Sequence, residues 1–484
     1  MKKSLLSVIA IMITIIANAS APSGTLPVIY ITTQNNAEIT STENYISATF
    51  YIDAINSGYT SLGSATSQTA MKIRGRGQSS WNNYDKKPYR FKLTVGTKLL
   101  DMSKSKNFAL IACADDDLAF LRNTVGYRLS QMLGLIYTPD RRAVELVLNG
   151  DYKGLYFLVE TVRIDKDRVP IVKQNDNETD ASLISGGWLL EIDNADDPAQ
   201  IVITEGNGSK ARFTYKDPEI LSSAQTDYIT SQLNTIDDAI YSNNINSTTW
   251  QNNIDIDSLA RYYIVQEIMD NTEAFYGSTF LFKNRGADHK WIFGPVWDFG
   301  NAYRRNSQQF IYQDSPHTPQ IWISEIAKYP AFQAKVKEIW KNFYANQYPS
   351  LTSYIDNFTS SISAAATYDV QRWPEYGSAD VQAKKNEFSS LLNARIQWLN
   401  EQWDETGIDN STISGDINVT TRNGMITISA LEDINTVTIY SPMGKIISQV
   451  NPKSMTYYYR SQNGLYIVEI KTDSQIFQTK VFVK

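Results

Sequence analysis

Hydrophobic and polar residues alternate with a period of two in several segments of the first half of the chain. The segment Tyr89–Leu93 is typical, because its apolar residues lie on one face of an extended chain and Arg90 and Lys92 lie on the other. Such alternation, with many β-branched and aromatic residues, predicts β-strands. Strands are expected at 27–31, 45–52, 71–74, 89–93 and 188–193, with hairpins at 144–148/155–159 and 280–282/291–293. The first hairpin is expected to turn at Asn149-Gly150 with a few extra residues in its loop.

Apolar residues recur every three or four positions in other stretches, which indicates helices. Helices are expected at 118–133, along the stripe from Ile229 to Ile240, at 259–269 with Asp257 as its N-cap, and along the stripe from Phe388 to Trp403. Strands dominate the first part and helices the second. This order predicts an α+β fold with two lobes in residues 22–403.

The last part of the chain returns to short strands. A polar linker is expected at 404–414, and residues 415–484 contain strand patterns separated by the turn signals Asn423-Gly424, Met443-Gly444 and Asn463-Gly464. This spacing predicts a small β-sandwich.

The first residues have the pattern of a signal peptide. Lys2 and Lys3 precede an apolar run at 5–16, and Ala17-Asn18-Ala19 matches the small-x-small cleavage pattern. Residues 1–19 are therefore predicted to be removed on export. No later stretch reaches the roughly eighteen apolar residues of a membrane span, so the mature chain is expected to have no transmembrane segment.

Composition narrows the chemistry. The chain has 45 basic and 51 acidic residues, which argues against nucleic acid as the main partner. It has two histidines and the single cysteine Cys113, so an internal disulfide, a cysteine-based zinc site and a Ser-His-Asp triad are poor candidates. The reactive groups must come from Asp, Glu, Lys, Arg and backbone amides. An exported chain without disulfides also suggests a bacterial source.

Basic residues cluster around the early strands. Arg74 and Arg76 alternate with glycines after a strand, a pattern that suits either phosphate binding or a solvated turn. Lys86, Lys87 and Lys92 flank the next strand and could either pair with nucleotide phosphates or lie on a solvated face. Glu160 could pair with such a lysine or belong to an exposed charge run.

Two acidic residues are candidates for metal chemistry. Glu273 follows the predicted buried helix, and Asp298 follows the second hairpin, so the hairpin would bring them together. Two carboxylates at one cleft can hold Mg²⁺ and orient a hydroxyl for phosphoryl transfer. The triplet Asp298-Phe299-Gly300 also occurs in protein kinases, but three letters alone are weak evidence.

Ordered blocks from about residue 26 to 403 resemble the CotH (spore-coat) kinase family. They are 74–81 (RGRGQSSW), 86–93 (KKPYRFKL), 106–108 (KNF), 121–123 (LRN), 148–156 (LNGDYKGLY), 165–169 (DKDRV), 187–193 (GWLLEID), 294–299 (GPVWDF) and 395–399 (RIQWL). The resemblance implies an atypical, two-lobed protein-kinase-like fold that binds Mg²⁺ and ATP and phosphorylates protein hydroxyls.

The resemblance also suggests roles for individual residues. Asp298 matches the family's metal-binding aspartate, and Glu273 lies where many relatives have the catalytic aspartate. Arg74, Arg76, Lys87, Lys92 and Glu160 are the expected nucleotide-binding residues.

This chain departs from the family pattern twice. Glu273 is one methylene longer than aspartate, and Gly300 replaces an acidic residue two positions after Asp298. Asp270 is the residue that could compensate for the second change.

Residues 415–484 resemble the C-terminal sorting domain of Bacteroidetes proteins exported by the type IX secretion machinery. The likeness rests on 438–445 (TIYSPMGK), 463–468 (NGLYIV) and 480–484 (KVFVK), and a generic β-sandwich appendage is the alternative. It implies export across the outer membrane to the cell surface or the medium.

Two functions compete. The chain is either an exported kinase that acts on a protein substrate or a non-catalytic surface protein that uses the same fold for binding or adhesion. The second is supported by the two departures and by an aromatic content of 12%, although core packing explains most aromatic residues.

Overall fold

The computed structural model describes residues 21–193, 197–242, 244–286, 288–314, 316, 320–376, 380–403, 411–414, 417–422 and 424–483. The predicted signal peptide and residues 404–410 of the predicted linker lie outside the described residues. The chain divides into two compact units, one ending at Leu399 and the other formed by Asn400–Lys484.

Seven strands of the first unit close into a barrel in the order β1-β2-β3-β4-β5-β7-β6. Neighbouring strands are antiparallel except β1 and β6, which are parallel. The strands are β1 (Val28–Thr33), β2 (Ile46–Asp53), β3 (Thr69–Gly75), β4 (Tyr89–Thr97), β5 (Ser105–Ile111), β6 (Arg141–Leu148) and β7 (Asp151–Glu160).

Alternation along the strands gives the barrel an apolar interior. Phe91 and its apolar neighbours in β4 are buried, whereas Arg90 and Lys92 lie on the outer face. Arg90 is directly opposite Arg74 of β3, and Lys92 is opposite Lys72. The predicted strand face that carries Arg90 and Lys92 is confirmed.

A second sheet of the first unit has the order β12-β11-β8-β10-β9. Its strands are β8 (Trp188–Ile192), β9 (Gln200–Thr204), β10 (Lys210–Asp217), β11 (Thr279–Lys283) and β12 (Ile292–Phe293). The strands β5, β9 and β10 lie outside the segments assigned from the sequence. The hairpin of β11 and β12 is as predicted.

Along the chain, the first two helices lie between strands of the barrel, and the others follow β10. The helices are α1 (Ser79–Asn83), α2 (Leu121–Met132), α3 (Ser223–Ile240), α4 (Ile256–Ile268), α5 (Ile311–Asp314), α6 (Ile323–Ile326), α7 (Pro330–Asn346), α8 (Pro349–Arg372) and α9 (Val381–Trp403). Together with the sheets they confirm the α+β prediction. Among the described residues, no helix is both long and apolar enough to span a bilayer.

Two local details differ from expectation. Asp255, and not Asp257, caps α4, because its Oδ1 accepts a hydrogen bond from the backbone N–H of Ser258 at 2.7 Å. Asp257 instead forms an ion pair with Arg261 one helical turn later. The hairpin of β6 and β7 has no extra loop residues, since Asn149 and Gly150 both have positive φ and turn the chain by themselves.

After the end of α9, the regular elements among the described residues of the second unit are strands. They form sheets in the orders β13-β14-β15-β18 and β17-β16-β19-β20. The strands are β13 (Ser411–Ser414), β14 (Ile417–Arg422), β15 (Met425–Ile434), β16 (Thr436–Tyr440), β17 (Ile446–Val450), β18 (Ser454–Arg460), β19 (Gly464–Lys471) and β20 (Ile476–Val483). Apolar residues from both sheets, such as Ile428 and Val468, share one core.

Candidate active site

A cavity lies beside the ends of barrel strands β3 and β5. We call it the acidic pocket and define it by Arg76, Lys86, Asp115, Trp297 and Asp298, all of which line it. These residues come from four separate segments of the chain. The pocket is therefore assembled by the fold and not by one continuous motif.

Asp298 is exposed in this pocket and is held in an unusual backbone conformation. Its φ is 59°, which is rare for a residue other than glycine and is often found at functional sites. The next residue fixes the turn, because the N–H of Phe299 donates to Oδ1 of Asn123 at 3.1 Å. Asn271 donates to the Asp298 carbonyl at 3.2 Å, and the N–H of Gly300 donates to Oδ1 of Asp298 at 3.0 Å.

Asp115 is the acidic residue that the sequence analysis missed. A Cβ built on Gly300 would lie 2.6 Å from Oδ2 of Asp115 and 3.3 Å from Oδ1 of Asp298. The two carboxylates therefore border the same small space, and the missing side chain at position 300 makes room for Asp115. The sequence does contain a signal for Asp115, because it is the first of three consecutive aspartates at 115–117 that come shortly after the buried strand β5.

Glu273 lies in the turn after α4, and its Oε2 accepts a hydrogen bond from the side chain of Asn301. Burial and then the negative charge of Asp298 raise the pKa of Glu273 to about 7, and the charges of Asp193 and Asp115 act in the same direction. The hydrogen bond from Asn301 opposes this shift. Glu273 and Asp298, which the sequence placed at one cleft, are thus close enough for the charge of Asp298 to act on Glu273, although Glu273 is not among the residues that line the acidic pocket.

The carboxyl groups around the acidic pocket repel one another. Burial and the charge of Asp298 also raise the pKa of Asp115. Carboxylates that are crowded in this way suit a divalent cation, which would relieve their repulsion. Among the described residues no three His, Cys, Asp or Glu side chains form a ready-made metal cage. Mg²⁺ does not need one, because it commonly binds through one or two carboxylates, waters and substrate phosphates.

Asp270 does not replace the missing acidic residue at position 300. It is buried beside Arg395, with 3.9 Å between Oδ1 and Nη2, and its Oδ2 accepts a hydrogen bond from the N–H of Ser307 at 3.3 Å. Asp115 supplies the carboxylate next to Gly300 instead.

Lys86 is the buried lysine of the site. Its Nζ lies 2.7 Å from Oδ1 of Asp369 on α8, and both side chains are almost fully buried. The ammonium also lies 5.2 Å from the ring centre of Tyr156. Gly154 makes room for this ion pair, because a Cβ there would lie 2.0 Å from the same Asp369 oxygen.

Lys87, the residue assigned from the sequence, points elsewhere. Its Nζ donates to the carbonyl of Trp81 at 2.6 Å, and it is not among the residues that line the acidic pocket. Local sequence offers no way to distinguish two adjacent lysines, since only burial separates them.

Glu160 neither pairs with a lysine nor belongs to an exposed charge run, which were the two alternatives expected from the sequence. It is buried and accepts hydrogen bonds from Tyr137 at 3.0 Å, from the N–H of Asp140 at 3.1 Å and from Ser103. Its basic neighbour is Arg168, with 3.9 Å between the charged atoms. Glu160 therefore contributes to packing and does not pair with a lysine at the nucleotide site.

Arg74, Arg76 and Lys92 line a second, larger cavity. We call it the arginine cleft. Arg76 and Trp297 also line the acidic pocket, and the Arg76 guanidinium lies 5.5 Å from the Trp297 ring centre. The two cavities therefore adjoin at this pair.

We expect Gly300→Asp to weaken, and not to strengthen, binding of Mg²⁺ with a nucleotide. The new Cβ would lie 2.6 Å from Oδ2 of Asp115 and would force this carboxylate to move, which would disturb the pair of carboxylates that would hold the cation. Isothermal titration calorimetry with Mg²⁺·ATP analogues should show a loss of about tenfold or more.

Two further variants make this test specific. The double variant Asp115→Ser/Gly300→Asp moves the carboxylate from position 115 to position 300. It should bind Mg²⁺·ATP analogues more tightly than Gly300→Asp does. Gly96→Asp is the control, because a Cβ at Gly96 meets other atoms only at 3.7 Å or more. Wild-type affinity in Gly300→Asp would contradict the proposed contact.

A search of curated proteins found none that matches. The family model described as CotH kinase protein matches residues 73–399, which is more than half of the chain. This span contains Arg76, Lys86, Asp115, Glu273 and Asp298. The chain belongs to the CotH kinase family.

Proposed function

We propose that this protein is an exported, Mg²⁺-dependent kinase that transfers the γ-phosphoryl group of ATP to protein Ser/Thr hydroxyls. The observation that carries the proposal is the acidic pocket, in which Asp115 and Asp298 lie near Glu273 and on the same cavity as the cations Arg76 and Lys86. Phosphoryl transfer needs this combination, because a metal ion and cations must together neutralise the phosphate oxygens.

Each group has a distinct role in the proposed reaction. Bound Mg²⁺ would supply positive charge to the phosphate oxygens. Asp298 and Asp115 would hold it, and Arg76 and Lys86 would orient the phosphates from the same cavity. Glu273 would accept the proton of the attacking hydroxyl at Oε1, since Asn301 occupies Oε2.

The transfer should depend on pH through Glu273. A carboxyl group acts as a base only when it is deprotonated, and the pKa of Glu273 is about 7. We therefore expect the initial rate of phosphate transfer from labelled ATP to rise between pH 6 and pH 8, with its midpoint at or below about 7. A bound cation would favour the charged form and shift the midpoint downward.

Glu273→Gln separates this role from nucleotide binding. The variant should bind Mg²⁺·ATP with an affinity close to wild type and lose the pH-dependent rise in rate, because glutamine cannot accept the proton. If wild-type protein neither binds Mg²⁺·ATP nor transfers label, the alternative of a non-catalytic binding or adhesion protein is favoured. The departures at Glu273 and Gly300 are the observations that support that alternative.

For the architecture, we propose that the barrel and the helix-rich part of the first unit are the two lobes of a kinase-like fold. We propose that the two sheets of the second unit form a β-sandwich. The order of elements and the shared core of the second unit support this reading.

For localisation, we propose export by residues 1–19 followed by type IX secretion through residues 415–484. In a Bacteroidetes host, deletion of residues 411–484 should leave the protein in the periplasm, and the mature wild-type protein should begin at or near Ser20. Fractionation with immunoblotting and N-terminal sequencing measure both. A truncated protein that still reaches the surface would rule out the sorting role.

A further inference from the structure

The arginine cleft has more positive charge than its own carboxylates balance. Its lining contains six cationic and three acidic side chains. Two of the acids already have partners, because Glu191 pairs with Lys216 at 2.6 Å and Asp217 pairs with Lys173 at 2.9 Å. The third, Glu219, is exposed.

Five cations of the cleft have no carboxylate partner among the described residues: Arg74, Arg76, Arg90, Lys92 and Arg163. In most proteins partly buried arginines are paired, because an unpaired buried charge is unfavourable. This group of like charges is therefore unusual and suits the binding of an anionic ligand.

Arg90 is the cation of this group on which the charges of three other arginines act. Its Nε is buried and has no hydrogen-bond partner, and the same holds for Nε of Arg74. Burial lowers the pKa of Arg90, Tyr45 opposes this effect, and the charges of Arg74, Arg163 and Arg76 lower the pKa further. The four guanidinium groups are thus within electrostatic reach of one another.

The rigid strands explain how this arrangement persists. Arg74 and Arg90 are direct cross-strand partners on the outer face of the barrel, and Arg163 follows the end of β7. Like charges directly opposite each other destabilise a sheet. The closed barrel holds them together despite that penalty.

We propose that the arginine cleft binds an acidic segment of the protein substrate, with two or more carboxylate or phosphate groups beside the hydroxyl that is phosphorylated. This inference rests on the proposed function for the identity of the reaction, but not for the binding itself. The cleft adjoins the acidic pocket at Arg76 and Trp297, so an acceptor bound in the cleft would lie next to the proposed metal site.

The position of the charges favours the protein substrate as the ligand of the arginine cleft, and not a second part of the nucleotide. Arg90 and Arg163 line the cleft but not the acidic pocket that contains Asp115 and Asp298. Guanidinium groups also form paired hydrogen bonds with both carboxylate and phosphate oxygens. Several such groups along an open cleft suit an extended chain with repeated negative charges.

The test uses the full chain and fluorescein-labelled peptides with a central serine. One peptide has flanking glutamates, one has flanking phosphoserines and one has flanking lysines. Fluorescence anisotropy at low salt should show binding of at least one acidic peptide and little binding of the lysine peptide. Affinity should fall steeply as salt rises, because salt screens charge attraction.

Variants identify the residues. Arg90→Gln/Arg163→Gln should weaken binding of the acidic peptide about tenfold or more, which equals about 1.4 kcal/mol, while leaving affinity for Mg²⁺·ATP unchanged. Arg460→Gln, which changes an exposed arginine of β18, is the matched control. Arg90→Lys keeps the charge and provides a milder variant if the double variant does not fold.

The outcomes separate the two proposals. Binding of the glutamate or the phosphoserine peptide that depends on Arg90 and Arg163 supports the inference, and comparison of the two tells which anion the cleft prefers. The inference is overturned by equal affinity in wild type and variant, by a parallel loss of Mg²⁺·ATP affinity, or by tighter binding of a single-stranded oligonucleotide of equal charge. Peptide binding without any phosphate transfer would support the cleft and contradict only the kinase function.

Discussion

Asp298→Asn is expected to reduce affinity for Mg²⁺·ATP by at least about tenfold, or about 1.4 kcal/mol. Asparagine keeps the size of the side chain but removes the charge that would hold the metal ion. The backbone hydrogen bonds around residue 298 involve Phe299, Asn271 and Gly300. Two of them do not use the carboxylate, so the turn should persist in the variant.

Calorimetry with Mg²⁺·ATP, and again with ATP and EDTA, measures this effect directly. The difference between wild type and Asp298→Asn should disappear without metal, because the carboxylate acts through the cation. Asp227→Asn, an exposed position on α3, is the matched control. Equal Mg²⁺·ATP affinity in wild type and Asp298→Asn would remove Asp298 from the metal site and weaken the kinase proposal.

Arg395→Met is expected to lower the free energy of unfolding by about 3–5 kcal/mol. Arg395 on α9 forms an ion pair with Glu267 on α4 at 2.5 Å, and both side chains are almost completely buried. Arg395 also donates to the carbonyls of Ser307 and Gln309 at 2.8 Å each. Loss of the guanidinium removes the positive charge beside the buried Glu267 carboxylate, which keeps only its hydrogen bonds from other donors such as the N–H of Ile311. It also leaves the backbone carbonyls of Ser307, Gln309 and Glu267 without this donor.

The size of this loss should depend on pH in a defined direction. Burial raises the pKa of Glu267 to about 7 even though Arg395 lowers it. Without Arg395 the folded-state pKa must rise further above the unfolded value. When the pKa of a carboxyl group is higher in the folded chain than in the unfolded chain, the group loses its proton at a lower pH in the unfolded chain. The free energy of unfolding therefore falls as pH rises from the unfolded-state pKa through the folded-state pKa.

Urea unfolding at pH 5 and pH 8 tests this expectation. The deficit of Arg395→Met relative to wild type should be larger at pH 8. Glu267→Gln/Arg395→Met removes the buried charge and should be more stable at pH 8 than Arg395→Met alone. An equal deficit at both pH values would mean that lost packing, and not the unpaired carboxylate, explains the effect.

The sequence by itself determined much of the secondary structure and the family. Strands β1 to β4, the second hairpin and helices α2, α3, α4 and α9 follow from hydrophobic periodicity, because the side chains of one face must be buried together. The same reasoning placed Arg90 and Lys92 on one strand face. It also placed Glu273 and Asp298 at the two ends of the segment that contains the second hairpin.

Only the tertiary structure decided which charged residues meet. Lys86 and not Lys87 is buried, its partner Asp369 lies far along the chain on α8, and Asp115 fills the space left by Gly300. These choices depend on barrel closure and helix packing, which act between distant segments and leave no periodic signal. Local sequence therefore determined which faces are buried, and long-range packing determined which buried charges pair and which unpaired ones remain available for ligands.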